Sequence, residues 1–287
     1  MRKITSYIVA LFSAVVLFSS CKKEYETVED LDNKSIKAYK EAHSNLTFND
    51  VNGYSYVITD AGAGTDVKNS DSVYYSYTFK SISGNIYNQT SDLMTPGTFL
   101  GYTDRFFIGN MAYVFKPVRE VFSKLKRGGK ATLLLPSRMA FGKNGLSAFG
   151  IGSNETIMVE LGLYTYEKKH EVDAYEMSTF ITRNNLTFDT DPSGIRYKIA
   201  TAGTGTDIIG THSTLVVNYT GRYLDGTVFD SGTNVTFRLD QLIKGWQVML
   251  PGKITAEGKI RIIVPSHLGY GARPLDFDIE VTKVTND

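Results

Sequence analysis

Ala61-Gly62-Ala63-Gly64-Thr65-Asp66 recurs downstream as Ala202-Gly203-Thr204-Gly205-Thr206-Asp207, an offset of 141 from residue 61 to residue 202. Leu46-Thr47-Phe48-Asn49 recurs as Leu186-Thr187-Phe188-Asp189, an offset of 140 from 46 to 186. Between these blocks Gly53-x-x-Tyr56-x-Ile58 answers to Gly194-x-x-Tyr197-x-Ile199, and beyond them Tyr77 to Gly84 matches Tyr219 to Gly226 in spacing. A period this long duplicates a whole domain, unlike the short repeats of a solenoid. In each copy a helical pattern comes first, carried by Leu31, Ile36, Tyr39 and Ala42, then by Val172, Tyr175, Phe180 and Ile181. The period then falls to two in runs rich in β-branched and aromatic residues, Val73 to Phe79 and Ala131 to Leu135 in one copy, Leu215 to Thr220 and Ile260 to Val264 in the other. One short helix per copy fits Phe115 to Leu125 and Leu242 to Leu250. Strands, one helix and strands again make an α+β class, a mainly antiparallel sheet wrapped on a helix.

With 287 residues, 42% hydrophobic and 21% charged, the chain has the composition of a packed globular protein of two domains. Its net charge of +1 and the lack of a Lys/Arg run interleaved with aromatics argue against nucleic acid as a partner. The histidines at 43, 170, 212 and 267 have no ligand spacing, so no metal is expected. Gly62-Ala63-Gly64 and Gly203-Thr204-Gly205 lack the following helix of a nucleotide loop and read as turn glycines, and no cofactor is implied.

At the N-terminus, Arg2 and Lys3 precede an apolar stretch from Ile4 to Phe18, which reads as a signal peptide over residues 1–20. It ends in Leu17-Phe18-Ser19-Ser20-Cys21, which resembles a lipobox, with Phe18 where Leu is usual. The resemblance implies a lipid on Cys21, the one cysteine in the chain, and therefore a protein anchored to a bacterial envelope membrane, by expectation the outer one. Residues 21–32, charged and poor in apolar side chains, are expected to form a solvated tether. The first domain then spans 33–169 and the second 170–287.

The second copy reads Val217-Asn218-Tyr219-Thr220-Gly221-Arg222-Tyr223-Leu224-Asp225-Gly226-Thr227-Val228-Phe229-Asp230-Ser231, then Leu242-Ile243-Lys244-Gly245-Trp246-Gln247, then Leu268-Gly269-Tyr270-Gly271, and finally Phe277-Asp278-Ile279-Glu280-Val281. These four blocks, in this order over roughly residues 193 to 285, resemble the FKBP-type peptidyl-prolyl isomerases. The resemblance implies two FKBP-like domains, each preceded by a helix, and prolyl cis-trans isomerisation of exported, proline-containing polypeptides by the second. Its site residues would be Tyr219, Phe229, Asp230, Trp246 and Tyr270, with Phe237, Leu242, Ile243 and Phe277 contacting substrate. Trp246 would be the floor and Asp230 the rim, where it positions Tyr219, while the Ile243 amide and the Tyr270 phenol would bind substrate carbonyls. A non-catalytic polypeptide-binding chaperone and an interaction lipoprotein are the alternative readings. Nothing in the sequence speaks to the oligomeric state.

Each copy departs from the family in its own way. In the second, only Ala272, Arg273 and Pro274 separate Gly271 from Leu275, where the family carries a long loop that overhangs the pocket. The first keeps such a loop, Lys143 to Ile157, but has Tyr77, Tyr87, Asn88, Phe115, Val118, Phe141 and Val159 where the second has Tyr219, Phe229, Asp230, Ile243, Trp246, Tyr270 and Phe277. The first copy is therefore expected to be non-catalytic, and the second to have an open pocket.

Overall fold

A computed structural model describes residues 26–108 and 111–286, so the apolar run from Ile4 to Phe18 and Cys21 lie outside the described residues. Helix α1 (Val28–Ala42) opens the first domain and is followed by strands β1 (Asn49–Val51), β2 (Tyr54–Asp60), β3 (Ser72–Ser81), β4 (Ile86–Gln89) and β5 (Gly97–Phe99). A hairpin of β6 (Arg105–Ile108) and β7 (Met111–Val114) comes next, then α2 (Lys116–Phe122), β8 (Lys130–Leu135) and β9 (Ile157–Leu163). The second domain begins with α3 (Lys169–Arg183), β10 (Asp189–Thr190), β11 (Arg196–Thr201), β12 (Thr214–Tyr223) and β13 (Val228–Arg238). It ends with α4 (Lys244–Met249), β14 (Gly258–Val264) and β15 (Leu275–Thr285).

The sheet of the first domain runs β1-β2-β8-β9-β3-β4, and that of the second runs β10-β11-β14-β15-β12-β13. Every neighbouring pair is antiparallel, and the two orders are one topology written twice. One face of each sheet buries the short helix. Val118, Val121 and Phe122 pack with Leu133, Leu135 and Val159 in the first domain, and Trp246, Met249 and Leu250 pack with Ile262, Val264 and Val281 in the second.

On the other face lies the leading helix, Ile36 against Leu134 in the first domain and Met177 and Phe180 against Ile263 in the second. Strands β8 and β14 are thus covered on both sides, which is why Leu133 to Leu135 and Ile262 to Val264 are unbroken apolar runs. A buried carboxylate locks each leading helix in place. Asp173 accepts from the Ser266 N–H at 2.8 Å and from its hydroxyl at 2.6 Å. Asp32 does the same with Ser137, at 2.9 and 2.8 Å.

Three features differ from the sequence reading. Helix α1 starts at Val28, inside the stretch assigned to the tether, because Thr27 and Asp30 form a capping box and Asp32 is buried against Ser137. The short helices are shorter than expected because Phe115 and Ile243 are non-helical cap residues. The hairpin β6–β7 was not foreseen. It sits between the turn Leu100–Tyr102 and α2, whereas in the second domain only Leu242 and Ile243 separate the corresponding turn, Leu239–Gln241, from α4.

Candidate functional site

The nine residues singled out in the second domain converge on one cage. Helix α4 places Trp246 at its centre, only 3% exposed, with the ring edge-on to Tyr219 of β12 at 5.7 Å between centroids and to Phe277 of β15 at 5.5 Å. Phe229 of β13 meets Phe277 at 5.6 Å and Tyr270 at 6.1 Å, and Phe237 meets Tyr219 at 5.8 Å. Perpendicular ring pairs at these distances favour edge-to-face electrostatics and fix the walls against one another. Leu242 and Ile243, half-buried, pack against the same cluster. The side chain of Gln247 pins this corner by donating to the carbonyl oxygens of Leu242 at 2.7 Å and Asp240 at 3.2 Å.

The register of the sheet decides who can stand where. Gly221 lies opposite both Asp230 on β13 and Phe277 on β15. A Cβ at Gly221 would come within 2.7 Å of the Phe229 ring and 2.8 Å of the Phe277 ring, so the two walls close over a bare backbone.

Polar groups are few and specific. The Tyr219 hydroxyl donates to Asp230 Oδ2 at 2.9 Å. Burial, aided by that bond and by the Asp230 charge, pushes the Tyr219 phenol up to about 12. Burial and then Asp230 also raise Tyr270, whose side chain is otherwise 65% exposed at the rim. Within the cage, the buried indole N–H of Trp246 has no hydrogen-bond partner among the described residues, and the backbone N–H of Ile243, just before α4, makes no backbone hydrogen bond among them. A cage with spare donors at its floor and corner suits a ligand that carries carbonyl oxygens and an apolar ring.

The first domain fills the same space from within. At the position of Gly221 stands Phe79, opposite Asn88 and Val159. The hairpin adds Phe106, with ring centroids 5.3 Å from Phe79, 5.0 Å from Tyr77 and 5.5 Å from Phe115. Both plugs are buried, at 2% and 4% exposure. The Phe115 amide, counterpart of Ile243, donates to the Asp104 carbonyl at 2.8 Å and is no longer free. The retained loop folds down as well, burying Ile151 and offering Glu155 as acceptor to the Tyr87 hydroxyl. Sequence reasoning saw the lost Trp and Asp but missed both plugs. The Gly221-to-Phe79 exchange was visible in the aligned repeats, whereas nothing local marks Phe106 as inward-facing.

At the missing loop, Arg273 lies over the Tyr223 ring at 3.2 Å from its centroid, and Tyr223 in turn meets Phe229 at 4.9 Å. The same guanidinium reaches Met94 Sδ of the first domain at 3.3 Å. The sequence reading treated Arg273 as part of a gap, yet it links the pocket wall to the neighbouring domain.

The second domain is similar in sequence to known proteins. The family described as FKBP-type peptidyl-prolyl cis-trans isomerase matches residues 206–284. A probable FKBP-type peptidyl-prolyl cis-trans isomerase of Haemophilus influenzae is 41% identical over 109 residues, covering 33% of this chain and 44% of that protein. The outer membrane protein MIP of Legionella longbeachae is 44% identical over 86 residues, 29% of this chain and 36% of that protein. Among solved structures, FkpA from Escherichia coli is 27% identical with a TM-score of 0.33, covering 40% of this chain and 67% of that one. The chain thus spans less than half the length of the two curated relatives. It is the second domain, over residues 206–284, that is similar to the FKBP-type peptidyl-prolyl cis-trans isomerases.

Proposed function

We propose that the second domain is a peptidyl-prolyl cis-trans isomerase and that the first is a non-catalytic copy. The observation that carries this reading is the contrast between the two cages: Trp246, Tyr219 and Asp230 around a site whose walls meet over the bare backbone of Gly221, against Phe79 and Phe106 packed into its counterpart. Isomerisation breaks no covalent bond. It needs the amide to twist against a resonance barrier of about 18–20 kcal/mol. Twisting concentrates charge less on the carbonyl, so an apolar cage holds the twisted amide better than water does, and differential binding of this kind lowers the barrier. In this reading the Ile243 amide and the Tyr270 phenol, which keeps its proton at neutral pH, donate to the carbonyls that flank the proline. In the first domain that amide is already used.

The test is a protease-coupled isomerisation assay on the full chain with a Xaa-Pro peptide. Trp246→Ala should lower kcat/KM by tenfold or more, about 1.4 kcal/mol of transition-state stabilisation, while Val118→Ala in the first domain should leave it unchanged. Equal activity in wild type and Trp246→Ala would remove the assignment.

We further propose that the protein works in the bacterial envelope on exported proteins, held there by a lipid on Cys21. The signal-like stretch before Cys21 supports this, as does similarity to an outer membrane protein. Fatty-acid labelling should mark the wild type and not Cys21→Ala, and equal labelling of both would refute the anchor.

A further inference from the structure

The shortened connection after Tyr270 does not face solvent alone. The first-domain turn Ser91 to Thr95 is docked on α3 of the second domain by successive contacts. Asp92 pairs with both guanidinium nitrogens of Arg183, one at 2.6 Å. Leu93 packs on the cluster of Met177, Phe180, Leu224 and Ile263. The Thr95 N–H donates to Glu176 Oε1 at 2.7 Å, and Met94 meets Arg273. The linker is tied down too, since Arg127 donates to the Tyr166 carbonyl at 3.0 Å.

Beside this junction a cleft of about 340 Å³ is lined from the first domain by Met94, Thr95 and Phe99, and from the second by Lys169, Glu176 and Arg273. Its apolar side is exposed, with Met94 and Phe99 at 53% and 50%. Its polar side holds two buried oxygen atoms without a hydrogen-bond partner among the described residues, Thr95 Oγ1 and Glu176 Oε2. Buried polar atoms in such a state call for a ligand or water. Arg273 belongs both to this cleft and, through Tyr223 and Phe229, to the rim of the aromatic cage.

We propose that the cleft is a continuation of the isomerase site, in which the first domain takes the place of the overhanging loop: it holds, in extended form, the stretch of client polypeptide adjoining the proline. Met94 and Phe99 offer apolar contact to side chains, while Thr95, Glu176 and Lys169 line the polar side. The inference rests on the isomerase reading of the cage. It gives the non-catalytic copy a task, the grip on longer clients, that acts on binding and not on the twist.

The experiment compares a short Xaa-Pro tetrapeptide with a peptide of about ten residues, some 30 Å when extended, on the full-length protein. KM and kcat are measured for both, and Trp246 fluorescence reports binding directly. Met94→Asp places a charge on the half-exposed apolar side, and Thr95→Val removes one acceptor while keeping the shape; thermal unfolding confirms that both variants fold. Each variant should raise the ratio of long-peptide to short-peptide KM about fivefold without lowering kcat for the long peptide. If the wild type isomerises both peptides and the ratio is the same in all three proteins, the cleft is not part of the site. If the wild type neither isomerises nor binds either peptide, the isomerase reading falls and takes this inference with it.

Discussion

At a single position, 221, the two domains part company. Gly221 leaves its strand bare, and the Phe229 and Phe277 rings occupy the space where a side chain would begin. The first domain has Phe79 there and needs smaller partners around it, Val159 and Asn88. Gly221→Ala should therefore force both aromatic walls outward, costing about 1–3 kcal/mol of stability from overpacking. Substrate affinity should suffer as well. Denaturant unfolding and peptide titration monitored at Trp246 would show both effects, and a variant with wild-type stability would mean that the walls can yield. Most of the cage was legible in the sequence, because Tyr219, Phe229, Asp230, Trp246, Tyr270 and Phe277 stand in motif order. The role of Gly221 was not, since a missing side chain leaves no signal except by comparison with Phe79. Arg273 was equally hidden, because its partners come from two distant places in the chain, Tyr223 and Asp225 in one and Met94 in the other.

Among the elements, the hairpin β6–β7 is the clearest addition to the common fold. It pairs only with itself, and Phe106 anchors it to the domain beneath by contacts with three aromatic rings, those of Tyr77, Phe79 and Phe115. Phe106→Ala would leave a cavity in a packed aromatic cluster and should destabilise the first domain by about 3–5 kcal/mol. Isomerase turnover of the second domain on a short peptide should stay at the wild-type level. Chemical denaturation with tyrosine and tryptophan fluorescence separates the two domains, because the one tryptophan, Trp246, reports the second alone. A loss of turnover in this variant would tie the hairpin to the second site. Strands β3, β8, β12 and β14 and helices α1 to α4 were readable from periodicity because each presents one or two apolar faces at a fixed spacing. The hairpin was not, as four-residue strands carry too little pattern. The Asp32–Ser137 and Asp173–Ser266 clamps were also missed, although both partners recur in the repeats, because a polar residue on a helix reads as solvated unless its partner, roughly a hundred residues away, is known.

Over the whole molecule, the two domains meet through α3, and Glu176 sits at the centre of that contact with its side chain 1% exposed. It accepts from the Thr95 N–H, and Lys169 lies 4.0 Å from its other oxygen, though Lys169 is held closer, at 2.7 Å, by Asp173. Burial raises the Glu176 carboxyl above its ordinary range, with the Thr95 bonds and Lys169 opposing and the Asp173 charge adding to the rise. A carboxyl whose affinity for protons is higher in the folded state than in the unfolded chain favours folding below the unfolded value and loses that advantage as pH rises through the folded one. Wherever that carboxyl is ionised, the docked arrangement carries a buried charge that a neutral side chain would not. Glu176→Gln keeps an acceptor for the Thr95 N–H while removing that charge. It should raise the melting temperature at pH 7.5, and the gain should shrink as the pH is lowered from there and the wild-type carboxyl takes up its proton. Melting curves of both proteins across that range decide the matter. A gain that is constant with pH would show that the charge is not what limits the junction. A loss at pH 7.5 would show that the ionised carboxylate, through Lys169 and the Thr95 amide, holds the domains together.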